Sequence, residues 1–484
     1  MRGVSLNPYD IWNYPSKPYR FTRIDRIEML ARLHQLDPKP ATSARVLELG
    51  CGTGGNLLPM AEVFPDSRFI GLDLAASQIE SGEALRAEAG LNNVELRAMD
   101  LCDVDASFGE FDYIIAHGVY SWVPAPVKAR LLDVIAERLA PNGVAYISFN
   151  VKPGWYHRAA THDMMRWHTR GYPDPREKVK QGRALLDFLA AGAHEDERAW
   201  KEILTEEARV ARQIPDQVVY FDQLSDVNDA CYFHEFAAEL PDRGLEYLSD
   251  SSFASMMPHG IPDAALAALD RVGPDIIRRE QYLDFLKNRQ FRTALLVKKG
   301  APISRKLELR KLVDWHVASG ARPTTDKPDL DGDTPVSFKF LSSSVRVGKP
   351  ITKRTLFDLS ERYPASRPVG ELLASAGDQA GQLVIELFQL HSFYIVEVWP
   401  YPDGFTIDPP ERPRASPLAR AWSKREAQVP NLRHETFVLE DAERRLLPLL
   451  DGEHDRAALA AALPGVDVAT LLGNLARKAL LLDR

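Results

Sequence analysis

Cysteine is scarce in this chain: Cys51, Cys102 and Cys231 are the three among 484 residues, far apart and without a CxxC pair. That excludes a disulfide framework and a cysteine zinc site, and it fits a reducing, cytoplasmic compartment. No run approaches the roughly 18 apolar residues of a membrane span, and residues 1–10 lack a basic stretch followed by an apolar one. Neither a spanning segment nor an export signal is expected. An excess of positive charge is missing too: 60 Lys+Arg stand against 68 Asp+Glu, a net charge of −8, which argues against a nucleic-acid partner. What is present is a globular composition, 45% hydrophobic and 26% charged, in a length that suits about three domains.

Residues 7–22 are rich in Pro, Tyr and Trp and read as an ordered strap. Ile24, Ile27, Leu30, Ala31 and Leu33 then mark one face of a helix. From residue 45 short apolar strands (45–50, 68–73, 94–98, 111–116, 144–150) alternate with helices, which predicts a doubly wound, Rossmann-like parallel α/β sheet. Residues 151–229 are polar and helical, and strand-like segments at 245–250 and 292–298 complete seven strands. The expected organisation is a strap and helix over 1–44 and an α/β domain over 45–300 with a helical insertion at about 151–229. Two modules follow, 301–410 and 411–484, set off by Pro-rich linkers; they resemble each other in the order of their elements and read as winged-helix-like.

The run Glu48-Leu-Gly50-Cys-Gly52-Thr-Gly54-Gly-Asn56 ends the first strand and opens a helix, where glycines allow a tight turn and close approach to a ligand. The loop alone also admits a dinucleotide. Three carboxylates point instead to S-adenosyl-L-methionine, with S-adenosyl-L-homocysteine as its product: Glu48 ahead of the glycines, Asp73 ending strand two, and Asp100 with Leu101 ending strand three. Asp73 can accept from both ribose hydroxyls and Asp100 from the adenine amino group. Glu48 would bond the loop amides or, through water, the ligand ammonium. Asn56 and Leu74 belong to the same donor-binding set, and the chemistry calls for no metal. His117, ending strand four, could cap the ligand, act as a base, or be a satisfied structural histidine.

Beyond His117, Tyr120 and Trp122 could wall a cation-accepting pocket with their ring faces or be core aromatics. Asn150 ends strand five, and Trp155 and His157 follow on the same rim, as pocket or plug. Trp122, Asn150, Trp155 and His157 are the candidate acceptor-binding residues. Transfer from a sulfonium is an in-line displacement that needs alignment more than a strong base. A lysine acceptor must still lose a proton, by desolvation or by contact with Tyr or His. Tyr14, Tyr19 and Tyr120 are the candidate catalytic hydroxyls.

Asn7-Pro-Tyr-Asp10, Tyr14-Pro-Ser-Lys-Pro-Tyr19, the glycine loop, His117-Gly-Val-Tyr-Ser-Trp-Val-Pro124 and Pro153-Gly-Trp155 recur together with three later motifs: Tyr232-Phe-His-Glu-Phe236, Asp284-Phe-Leu-Lys-Asn-Arg-Gln-Phe291 and Asn431-Leu-Arg-His-Glu435. In these the chain resembles bacterial class I methyltransferases that carry a methyltransferase regulatory domain, which include lysine methyltransferases acting on outer-membrane proteins. The resemblance implies a protein lysine acceptor, N-terminal tyrosines that close over the donor, and middle and C-terminal modules that help hold the substrate. A small-molecule or peptide O- or N-methyltransferase is the first alternative, and a non-catalytic S-adenosylmethionine-binding regulator the second. The helical insertion offers a surface for a homodimer.

Overall fold

The computed structural model describes Trp12 and residues 14–483; Asn7-Pro-Tyr-Asp10 lies outside the described residues. Seven apolar runs form one sheet: β1 (Arg45–Leu49), β2 (Arg68–Asp73), β3 (Val94–Ala98), β4 (Phe111–Ala116), β5 (Leu139–Asn150), β6 (Leu245–Asp250) and β7 (Phe291–Lys298), in the order β3-β2-β1-β4-β5-β7-β6. β1 to β5 pair in parallel, whereas β7 is antiparallel to both β5 and β6. The sheet is therefore mixed, not all parallel as the strand-helix alternation predicts. The register gives the reason. Asp250, at the end of β6, pairs with Ala294 near the start of β7, so residues 251–290 remain at the end where β6 finishes and the chain runs back from there.

Helices α1 (Ile24–Leu33), α2 (Leu57–Val63) and α3 (Ala76–Ala89) cover one face of the sheet, and α4 (Ala125–Arg138) covers the other. Alternate strand residues feed the two cores, so Val46 and Tyr113 point into one while Leu47 and Ile114 point into its opposite. Helices α5 (Tyr156–Thr169), α6 (Pro175–Gly192) and α7 (Arg198–Gln213) follow β5 and close a small core of their own around Met165, Val179, Leu186 and Ala211. After them α8 (Phe233–Ala238) packs Phe236 under α4's face of the sheet.

The first core continues without a break into the middle and C-terminal modules, through Leu356, Leu387, Leu418 and Leu472. Helix α1 is consequently covered on both sides, although its sequence shows one apolar face. Its polar side is satisfied internally: Glu28 accepts from Tyr401 Oη at 2.7 Å and Ala41 N–H at 2.8 Å, and Arg26 Nη2 donates to the Ser251 carbonyl at 3.1 Å. In the C-terminal module, helix Pro417–Ser423 packs on α2 and α3. Glu62 of α2 accepts from Ser416 Oγ at 2.7 Å and Leu418 N–H at 2.9 Å, and Arg425 pairs with Glu88 of α3 at 2.6 Å. Among the described residues no helix is long and apolar enough to cross a membrane.

Candidate active site

The carboxyl ends of β1 to β4 converge on the glycine loop. Gly50, Gly52 and Gly54 have φ of 77°, 56° and 75°, and a Cβ on Gly50 would sit 2.6 Å from Val119 Cγ2. Gly50 and Cys51 N–H both donate to the Leu72 carbonyl, at 2.8 and 3.0 Å, which ties the loop to the end of β2. There Asp73 accepts from Gly52 N–H at 2.8 Å through Oδ2 and from Ala75 N–H at 2.9 Å through Oδ1, so its carboxylate is fixed at the lip of the loop. Leu74, beside it, is 65% exposed. Asp100 is exposed after β3 and accepts from Cys102 N–H at 2.9 Å, capping the short turn Leu101–Asp103.

Glu48 is 2% exposed, yet one of its oxygens is unsatisfied: Oε1 accepts from Asn56 Nδ2 at 2.7 Å, and Oε2 is buried with no hydrogen-bond partner among the described residues. Burial pushes its carboxyl up to about 8, the Asn56 bond pulls the other way, and the charge of Asp73 adds to the rise. A buried carboxyl with an orphaned oxygen calls for a cation. The residues present thus fit the methyl donor: Glu48 could take an ammonium, Asp73 a pair of ribose hydroxyls, and Leu74 an adenine face.

The strap lies directly on this loop. Ser16 Oγ accepts from Gly55 N–H at 2.9 Å, and a Cβ on Gly55 would meet the Ser16 backbone carbon at 2.4 Å, so this position requires glycine. Tyr19 stacks on His117 with ring centroids 3.9 Å apart, and its N–H donates to Asn56 Oδ1 at 3.0 Å. Arg20 reaches Glu397 of the middle module at 2.7 Å, which Arg433 of the C-terminal module also holds. His117 Nδ1 lies 2.9 Å from Tyr146 Oη. Burial, helped by Lys17, pushes its pKa down to about 3, so the ring is neutral and serves as a wall more readily than as a base.

A second group gathers where β5 ends. Among the described residues Asn150 receives no bond at its buried Oδ1, while its Nδ2 donates to Asn228 Oδ1 at 2.8 Å and Asn228 Nδ2 donates to the Asp222 carbonyl at 2.9 Å. Tyr14 Oη donates to Asp222 Oδ2 at 3.3 Å. Burial pushes Asp222 up to about 6 against the pull of Tyr14 and Arg158. The Tyr19 phenol is pushed up to about 12, by burial first and then by the charges of Asp222 and Glu48, so it lies within the field of both groups. Tyr14, Asp222, Asn228 and Asn150 are therefore joined by hydrogen bonds.

Not every candidate is brought there. A cavity of about 520 Å³ opens beside Tyr19 and His117, lined also by Asp250, Arg289, Phe291 and His434, and neither Tyr120 nor Trp122 lines it. Tyr120 packs its ring against Phe149 and Phe236, at 5.7 and 5.4 Å, with its hydroxyl toward Glu239. The short turn Tyr120–Trp122 tucks it into the core, away from that cavity. Trp122 is half-buried with an unpartnered Nε1, Trp155 packs edge-on against His162 at 5.7 Å, and His157 is exposed on α5. Residue spacing missed Asp222 and Asn228, in a segment that reads only as polar helix. It also gave no role to His434, which reaches Asn56 Oδ1 at 2.8 Å from the far end of the chain.

Comparison with known proteins matches three family models: a methyltransferase domain over residues 46–143, a predicted methyltransferase regulatory domain over 215–298, and the PKMT C-terminal winged helix domain over 411–466. Rickettsia prowazekii protein RP789 is 31% identical over 478 residues, 95% of this chain and 86% of its own length. A second protein of that organism, RP028, is 36% identical over 240 residues, half of this chain and 96% of its own length. The chain belongs to this methyltransferase family. The structure of PKMT2 from Rickettsia typhi in complex with AdoHcy superposes with a TM-score of 0.86 at 27% identity, covering 97% of this chain and 99% of that one. The enzyme is an S-adenosyl-L-methionine-dependent methyltransferase, and its last module is a winged helix. When bound, the donor supplies an electrophilic methyl group on a sulfonium. The protein's part is to seat it, hold the acceptor in line and keep water out.

Proposed function

We propose that this methyltransferase acts on lysine side chains of a protein. The observation that carries the reading is the likeness to PKMT2, a protein lysine methyltransferase, which runs through the regulatory and winged-helix parts as well as the donor domain. The side-chain chemistry supports it. Asp222, half-buried beside Tyr14, offers a carboxyl raised to about 6 to receive a cationic amine, and Asn150 Oδ1 offers an acceptor with no partner among the described residues. In this reading Glu48, Asn56, Asp73, Leu74, Asp100, Leu101 and the glycine loop hold the donor, and Tyr19 over His117 closes on it. Tyr19 stays protonated near neutral pH, so it aligns the acceptor nitrogen as a donor or acceptor of hydrogen bonds and does not act as a phenolate. The helical insertion, which exposes Trp167 and Phe188, is proposed to pair two copies, to be checked by sedimentation of Phe188→Glu.

Incubation of the enzyme with a bacterial lysate and a deuterated methyl donor, read by mass spectrometry, tests the acceptor: labelled methyl-lysine in proteins supports it, and label confined to small molecules overturns it. In the same assay Tyr19→Phe and Tyr14→Phe are expected to lower the single-turnover rate at saturating donor by about 10²-fold or more, with donor affinity little changed. Unchanged rates in both variants would reduce the strap to packing.

A further inference from the structure

We infer that the winged-helix module helps build the donor site: His434 is a positioning residue that acts through the Asn56 amide on Glu48. Two segments far apart in the chain, the strap and the last module, meet at that amide. Tyr19 N–H lies 3.0 Å from Asn56 Oδ1, Thr22 Oγ1 2.8 Å and His434 Nε2 2.8 Å. Because a backbone N–H can only donate, Tyr19 fixes which side of the amide is oxygen, and Nδ2 must then face Glu48 Oε1, 2.7 Å away. His434 in turn must carry its proton on Nε2.

The histidine is built to stay so. It is 2% exposed, sits at φ 63°, and its N–H donates to the Asn431 carbonyl at 3.1 Å. Asn431 Oδ1 accepts from Arg433 and Glu435 N–H at 3.0 and 2.8 Å, which locks the turn. Nδ1 is buried with no partner among the described residues, so a second proton would be stranded there, and Arg23 nearby opposes it further. Among the described residues the titratable groups within the field of Glu48 are Asp73, Cys51, Tyr19 and Tyr146, none of them a cation. Asn56 is thus what holds the carboxyl of Glu48 in place and keeps its proton affinity down, and the last module holds Asn56.

The inference rests on the donor site described above, and its test reads binding, not turnover. Calorimetry of S-adenosyl-L-homocysteine with the full chain across pH should show His434→Leu about 5- to 10-fold weaker at pH 7. The pH at which affinity levels off should also move upward, because Glu48 loses firm support from its one donor. His434→Gln, whose amide can donate over a similar reach, should restore both. In a Glu48→Gln background His434→Leu should cost nothing further, since the relay has lost its end point. If His434→Leu does not fold, His434→Asn, shorter and at ease at positive φ, gives the same comparison. Wild-type affinity and pH profile in the variant, or an equal loss in the Glu48→Gln background, overturns the relay. Absence of binding to the wild type would overturn the donor site itself.

Discussion

At the carboxyl end of β1, Glu48 is buried with one oxygen unpaired; at the same end of the sheet, where β6 finishes and β7 begins, Asp250, Glu280 and Asp284 are buried together with Arg289 and Arg292. The second cluster is closed by pairing: each carboxylate has an arginine within 3.6 Å. Arg292 lies 2.9 Å from Asp284, 3.0 Å from Glu280 and 3.6 Å from Asp250, with its guanidinium 3.8 Å from the Phe233 ring centroid. Arg289 adds a contact of 3.1 Å to Asp284. Charges paired within the chain hold the regulatory segment to the sheet, whereas Glu48, which has no cation beside it among the described residues, is where a ligand's charge is expected to enter. Burial alone does not separate the two clusters; the presence of a partner does.

Breaking the closed cluster should have the largest effect. Arg292→Met leaves three buried carboxylates to share Arg289, and a loss of about 3–5 kcal/mol is expected, read as a lower urea midpoint and poor recovery of folded enzyme. Near-wild-type stability would mean that the cluster is not structural. At the open site, Asp73→Ala should weaken S-adenosyl-L-homocysteine binding by roughly 5- to 150-fold, about 1–3 kcal/mol, with Asp73→Asn losing less because its amide oxygen still accepts. Unchanged affinity would remove Asp73 from the ribose.

The smallest effect sharpens the contrast through pH. Glu48 in the unliganded protein is raised from 4.5 to about 8, so the folded state keeps a proton that the unfolded chain releases earlier. Its contribution is full below about 4.5 and is lost as pH rises through about 8. Glu48→Gln has no proton to lose. Its melting temperature should match the wild type near pH 5 and exceed it near pH 8 in the absence of ligand, and a constant difference across that range would contradict the assignment.

The proposed donor set can be read along the sequence because its parts are contiguous: a glycine loop between strand and helix, then Asp73 and Asp100 at strand ends. The other half comes from segments that meet only in three dimensions. Asp222 and Asn228 sit in a stretch whose polarity looks like any solvated helix, and nothing local distinguishes them from Asp216 or Asp226. Tyr120 and Tyr19 lie in equally aromatic motifs, but the short turn after β4 points one into the core while Gly55 lets the other lie over His117. The reversed direction of β7 was invisible for a similar reason: apolar periodicity has no polarity along the chain.

The claim that Glu48 awaits a ligand's cation is tested most directly by proton linkage. Calorimetric titration of S-adenosyl-L-homocysteine at pH 7, in buffers of different ionisation enthalpy, counts the protons released on binding. A carboxyl held near 8 before binding, and ionised once it faces an ammonium, should release about one proton per site in the wild type and none in Glu48→Gln. Binding heat that does not depend on the buffer in the wild type, or equal release in the variant, would contradict it.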